Sequence, residues 1–68
     1  METTTYRITI RGRLSDRFAS AFPGMALEPG AGVTALVGDL AEPTQLYSVI
    51  DRLRDFGLEL LSLVEVSR

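Results

Sequence analysis

Apolar and polar residues alternate most clearly near the N-terminus, over residues 6–14. One set comprises Tyr6, Ile8, Ile10 and Leu14, and the intervening set comprises Arg7, Thr9, Arg11 and Arg13. A period of two residues places successive side chains on opposite faces of a β-strand. The pattern therefore predicts a first strand with one face turned to a core and an arginine-rich face turned away from it.

A short helix is predicted over residues 16–22, directly after this strand. Ser15 is a suitable N-cap residue, and Asp16 suits the first turn of a helix. Phe18 and Phe22 are four residues apart and share one helix face. A helix of about two turns is marginal in isolation, so its stability depends on docking the two rings.

The next two strands are predicted to form a β-hairpin. The candidates are residues 25–28 and 33–40, and the intervening residues 29–32 contain one proline and two glycines. Proline and glycine favour turns between strands.

The second half of the chain predicts an amphipathic helix followed by a last strand. Pro43 suits the first position of a helix, and Gly57 suits the position after its end. Between them, apolar residues recur at helical spacing, at Leu46, Val49, Ile50 and Leu53. Residues 58–66 are predicted to form the last strand.

The predicted order is βαββαβ, which favours an α+β, ferredoxin-like two-layer sandwich. Right-handed crossovers leave few topologies for this order, and the antiparallel sheet order 4-1-3-2 satisfies them. We expect a single domain over residues 5–67 and a frayed N-terminus at residues 1–4.

The same alternation assigns residues to the two faces of the sheet. In strand 4, the expected core row is Leu58, Leu60, Ser62, Val64 and Val66. The uncovered, open face is expected to carry Glu59, Leu61, Leu63 and Glu65 beside the arginines of strand 1. Apolar residues on both faces of a strand indicate burial on both faces. We therefore expect self-association through the open face, at Val33, Ala35, Val37, Leu61 and Leu63, or through edge strand 2 or 4.

Composition narrows the possible chemistry. The chain of 68 residues contains no cysteine or histidine, and its net charge is −2. Disulfides, thiolate metal sites and the commonest general base are thereby excluded, and no cofactor is predicted. A small domain of this kind gains stability from a disulfide, a metal or a partner. The remaining possibility is self-association, most simply as a homodimer, with a cytoplasmic location and no membrane span.

The arginine row is the main candidate for ligand binding. Arginine recognises carboxylate or phosphate groups in a planar, bidentate manner, so Arg7, Arg11 and Arg13 are candidates for an anionic ligand. Nucleic acid is not expected, because sheet-based RNA binders stack bases on aromatic residues of central strands. An Arg–Glu ladder on a solvated surface is the structural alternative.

Two family resemblances add expectations. The order and length resemble amino-acid-sensing regulatory domains of the ACT type, in which the junction held here by Ser15 and Asp16 binds ligand at a subunit interface. The segments 6–15 and 53–62 resemble small actinobacterial βαββαβ proteins with no assigned activity, which implies a standalone domain.

The sequence thus favours a small non-catalytic interaction or regulatory module that associates with itself or with another protein. An ACT-like binder of a small anionic metabolite is the alternative, and a cofactor-free enzyme is less favoured.

Overall fold

The computed structural model describes residues 3–66, apart from the side chains of Asp16 and Ala19. The elements in chain order are β1 (Thr4–Arg11), a 3₁₀ helix (Asp16–Ala21), β2 (Met25–Pro29), β3 (Val33–Leu40), α1 (Pro43–Asp55) and β4 (Leu60–Val66). The fold is therefore α+β, with one α-helix among the described residues.

The four strands form one antiparallel sheet in the order β2-β3-β1-β4. Read from the other edge, this is the predicted order 4-1-3-2, which is confirmed. Because β1 and β2 both run antiparallel to β3, they are parallel to each other. The 3₁₀ helix and α1 each lie in a connection between two parallel strands, and such strands need a crossover connection.

The core lies on the face of the sheet that carries α1, which we call the helix face. Ile8 and Ile10 of β1 are directly opposite Leu36 and Thr34 of β3. The two isoleucines and Leu36 pack in one core cluster with side chains from the rest of the chain. From α1 these are Leu46, Val49 and Leu53, and from the region of the 3₁₀ helix and β2 they are Phe22 and Met25. Tyr6 packs against the same cluster, as the alternation predicted.

The first predicted helix is a 3₁₀ helix and not an α-helix. Its first backbone bond runs from the Phe18 N–H to the carbonyl of Ser15, at 3.0 Å. The turn after β1 takes up Gly12 to Leu14, so only a short segment remains before Pro23-Gly24, and short segments commonly take the tighter 3₁₀ form. Docking of the rings holds this segment, since Phe22 is buried and both Phe18 and Phe22 make edge-on contacts with Phe56.

Helix α1 begins and ends at the predicted residues. Glu42 is the N-cap and forms a capping box with Gln45, and Pro43 occupies the first turn. After the C-cap residue Phe56, Gly57 adopts a positive φ of 71°, which glycine tolerates without strain. The helix therefore has its expected length and direction.

Strand β1 ends earlier than predicted, at Arg11. Gly12 has a positive φ of 92° and turns the chain out of the strand. The buried Thr34 hydroxyl holds this turn, because it donates to the Gly12 carbonyl at 2.8 Å and accepts from the Leu14 N–H at 3.2 Å. At the other end, Thr4 belongs to β1, although residues 1–4 were predicted to be frayed. Residues 1, 2, 67 and 68 lie outside the described part of the chain.

Within residues 3–66, no helix is long and apolar enough to cross a membrane.

The two faces of α1 predict different responses to truncation. Leu53 is 1% exposed in the core, whereas Tyr47 is 62% exposed on the same helix. We expect Leu53→Ala to lower the free energy of unfolding by about 2–5 kcal/mol, because it leaves a cavity. Tyr47→Ala should change it by less than about 0.5 kcal/mol. Urea unfolding at one fixed protein concentration measures both values, and equal effects would contradict this packing.

Candidate functional site

Strand β4 lies at an edge of the sheet, and within residues 3–66 it pairs only with β1. Every residue of β4 is exposed. Its large apolar side chains, each about two-fifths to one-half exposed, are Leu60, Leu61, Leu63, Val64 and Val66. An exposed apolar edge strand offers both side chains and backbone groups to another chain. β4 is therefore the most prominent candidate for an interaction site.

The position of α1 explains why the helix face of β4 is exposed. Leu63 is directly opposite the fully buried Ile8 and shares its face, yet Leu63 is 41% exposed. The helix packs over β3 and does not reach across β1 to cover the edge strand. Apolar surface on β4 consequently stays in contact with solvent in a single copy of the chain.

The predicted assignment of side chains to the two faces is wrong for residues 62–66, whereas Leu60 lies opposite Ile10 on the helix face, as predicted. Leu63 lies opposite Ile8 on the helix face, whereas Val64 lies opposite Arg7 on the open face. Glu65, which was expected beside the arginines, lies opposite Tyr6 on the helix face.

A β-bulge is the physical cause of this reversal. The register shifts between Thr9 and Ile10, whose partners are Ser62 and Leu60. Leu61 is the extra residue of the bulge and has no directly opposed partner. Because side chains alternate with a period of two, a shift by one residue exchanges the faces.

The backbone of β4 leaves unpaired groups along the sheet edge. The Arg11 N–H donates to Glu59 on the β4 side, whereas the Gly12 N–H donates to Gly32 on the β3 side. Hydrogen-bond direction alternates along a strand, so the odd-numbered residues of β1 bond to β4. Their partners are Ser62, Val64 and Val66. The intervening Leu63 and Glu65 therefore direct their N–H and C=O groups to the free edge.

Two arginines of the predicted ligand-binding row are paired with glutamates on the open face. Arg7 pairs with Glu28 of β2 at 3.0 Å, and Arg11 pairs with Glu59 at 3.1 Å. Arg13 lies beyond the end of β1 and is exposed, so its predicted place on the strand is wrong. Two of the three cations are thus neutralised by carboxylates, as in the Arg–Glu alternative, although Glu28 is on β2 and not on β4.

The predicted junction site at Ser15 and Asp16 lies at the start of the 3₁₀ helix. Ser15 is exposed, and its carbonyl accepts the first hydrogen bond of the 3₁₀ helix. The side chain of Asp16 lies outside the described part of the structure. Among the described groups, no interaction joins Ser15 or the Asp16 backbone to Arg7 or Arg11.

The predicted apolar patch on the open face is divided by the structure. Val33, Ala35 and Val37 share the open face with Arg7, but Ala35 is buried and the two valines are half-buried. The Arg7–Glu28 pair crosses β3 beside Ala35 and Val37, since Arg7 is opposite Val37 and Glu28 is opposite Ala35. Leu63 lies on the helix face and is not part of this patch, and the large exposed apolar side chains of the sheet lie along β4.

The residues missed by the sequence interpretation are Val64 and Val66, which were placed in the core. The five-residue run from Leu60 to Val64 contains a single polar residue and therefore specifies the register weakly. Among the described residues, no group of three or more acidic side chains is placed to hold a metal ion.

The comparison with known families gives one result. A family model described as "Domain of unknown function (DUF8691)" matches residues 5–64. This chain belongs to the DUF8691 family. The matched segment covers the 3₁₀ helix, β2, β3 and α1 of the DUF8691 domain completely, and it covers most of β1 and β4. No curated protein and no solved structure matches the chain.

The open-face ion pairs of this DUF8691 domain should contribute little to stability. The Arg7 and Glu28 side chains are 47% and 51% exposed, and exposed pairs are strongly screened by water. A double-mutant cycle with Arg7→Gln and Glu28→Gln should give a coupling of about 0.2–1 kcal/mol. Arg54→Gln, on α1, should show no coupling to Glu28→Gln. A coupling of about 2 kcal/mol or more would mean that the Arg7–Glu28 pair stabilises the fold more than an exposed ion pair does.

Proposed function

We propose that this domain is a non-catalytic homodimerisation module that pairs with a second copy through β4. The observation that carries the proposal is an edge strand with exposed apolar side chains on both faces and unpaired backbone groups at Leu63 and Glu65. Natural proteins blunt unpaired edges with charge, proline or short strands, because exposed edges recruit other strands. β4 carries a single charged residue, Glu65.

The opposite edge of the sheet is protected in this manner. β2 is five residues long and includes Glu28 and Pro29. Glu28 is held in the ion pair with Arg7, and proline lacks the N–H that a new strand would need. The contrast between the two edges favours β4 as the interface.

The antiparallel pairing of two β4 strands limits the possible registers. A two-fold axis perpendicular to the sheet keeps each residue on its own face, so directly opposed residues must belong to the same face. The regular part of β4, after the bulge, is residues 62–66, and its centre is Val64. We place the two-fold axis at Val64, which is 50% exposed and the most exposed apolar side chain of the strand.

Charge and bulge geometry disfavour the registers with the axis at Ser62 or at Leu63. With the axis at Val64, Glu65 lies opposite Leu63 of the second copy, and no like charges are directly opposed. With the axis at Ser62, Glu65 would lie opposite Glu59 of the second copy, which is unfavourable. With the axis at Leu63, the bulge residue Leu61 would have to join the ladder, although a bulge disrupts pairing.

The proposed dimer is one continuous sheet made from two four-stranded sheets. We also propose that each half is a ferredoxin-like βαββαβ unit in which the first helix is reduced to the 3₁₀ segment Asp16–Ala21. The sheet order and the two crossover connections support this assignment. The short first helix leaves α1 as the main cover of the sheet.

Two matched substitutions on β4 test the register. Val64→Glu should place two carboxylates opposite each other at the two-fold axis and weaken dimerisation by roughly tenfold or more, because opposed like charges are costly at an interface. Its neighbour within the chain is Arg7, so the folded monomer should tolerate the new carboxylate. Val66→Glu places the same side chain on the same face, opposite Ser62 of the second copy, and should leave the dimer largely intact.

Sedimentation equilibrium measures these outcomes. The wild type and Val66→Glu should approach twice the chain mass of 7.4 kDa, and Val64→Glu should approach the single mass while retaining its circular dichroism spectrum. An equimolar mixture of Val64→Glu and Val64→Lys should recover the dimer through opposite charges on the axis. A wild-type monomer at micromolar concentration would contradict the proposed function. Equal effects of the two glutamates would contradict the register.

A further inference from the structure

A cleft away from β4 lies between α1 and the turn that follows the 3₁₀ helix. Its volume is about 190 Å³, and its lining includes Phe22, Pro23, Leu40, Gln45, Val49 and Arg52. Gln45, Val49 and Arg52 are four and three residues apart, so they lie on one side of α1. The cleft is therefore built by elements that the proposed dimer interface does not use.

Arg52 differs from the arginines on the open face. Arg7 and Arg11 each have a glutamate partner, whereas Arg52 forms no ion pair with any described residue. Among the described side chains, no acidic one lines the cleft. The guanidinium of Arg52 is thus a cation beside a cleft in which no described residue supplies a carboxylate.

Gln45 adds a second donor to the cleft. Its side-chain oxygen accepts hydrogen bonds from the backbone N–H groups of Ala41 at 2.6 Å and Glu42 at 2.9 Å. These two bonds hold the Gln45 side chain in place and direct its amide oxygen toward the N-terminus of α1. The amide nitrogen donates to no acceptor among the described residues and remains able to bind an incoming oxygen.

The rest of the lining is mostly apolar, and it also includes Ser48, whose hydroxyl donates to the Thr44 carbonyl. Phe22, Leu40 and Val49 are buried members of the core, and part of their surface lines the cleft. A cavity of about 150 Å³ holds a ligand the size of benzene, so a cleft slightly larger than this fits a molecule of about six to eight non-hydrogen atoms. The ligand should therefore have a small apolar part and one polar end.

We propose that this cleft binds a small monocarboxylate with a short or branched aliphatic chain. The carboxylate accepts hydrogen bonds from Arg52 and from the amide nitrogen of Gln45, and the aliphatic chain lies against Phe22 and Val49. Arginine suits this role because its donors match the two oxygens of a carboxylate. A cationic amine has no acidic partner in the lining and is not accommodated.

Titration with sodium 3-methylbutanoate, at constant ionic strength, tests the proposal in ¹H–¹⁵N correlation spectra. We expect saturable shifts at the amides of Leu40, Ser48 and Val49, with a Kd of roughly 1 mM for so small a ligand. The isosteric neutral amide, 3-methylbutanamide, and 3-methylbutylamine should each bind at least roughly tenfold more weakly, because they lack the anionic end.

Matched arginine variants identify the cation that is responsible. Arg52→Gln should weaken 3-methylbutanoate binding by roughly tenfold, whereas Arg54→Gln, on the same helix but outside the cleft, should leave it unchanged. The Val64→Glu variant should bind as the wild type does, since β4 does not line the cleft. Equal binding of carboxylate and amide, equal losses in the two arginine variants, or shifts confined to residues outside the cleft would overturn the proposal.

Discussion

One α-helix covers a sheet of four strands, and much of this structure follows from that mismatch in width. A helix with its side chains is about 10–12 Å across, whereas adjacent strands are about 4.8 Å apart. Helix α1 can therefore cover about two strands, and it packs over β3 with its apolar residues directed at the central strands. Phe22 and the 3₁₀ helix fill the region near β2. Among the described residues, no helix and no large side chain covers β4, and its leucines remain exposed.

Uneven cover also explains how stability and interaction are separated in so small a chain. The buried residues are concentrated in β1, β3 and α1, and a domain of this size has little apolar area to spare. Pairing of β4 with a second copy would satisfy edge backbone groups and reduce the exposure of Val64 and its neighbours. The cleft beside Arg52 lies between α1 and the turn after the 3₁₀ helix, and no β4 residue lines it. The proposed ligand site and the proposed dimer interface therefore use different residues.

The sequence predicted the sheet order, the β-hairpin and both ends of α1, because strict alternation in β1, proline and glycine at boundaries, and helical spacing are local signals. The 3₁₀ form of the first helix depends on the short segment left between the turn at Gly12 and Pro23-Gly24, and that turn is held by the distant Thr34. The faces of β4 depend on a bulge at Leu61, which a nearly continuous apolar run does not reveal. Arg52 was not among the arginines that the sequence predicted to bind a ligand. Its spacing from Gln45 and Val49 was the available signal, but the cleft exists only through packing against Phe22 and Pro23.

The most direct test of the central claim is amide hydrogen exchange in β4 as a function of protein concentration. Val64 and Val66 bond to β1, so their amides should be protected in monomer and dimer alike. Leu63 and Glu65 face the free edge, and their amides should exchange rapidly in dilute protein and become protected as the dimer forms. Unprotected amides at Leu63 and Glu65 in a sample shown to be dimeric would contradict pairing through β4.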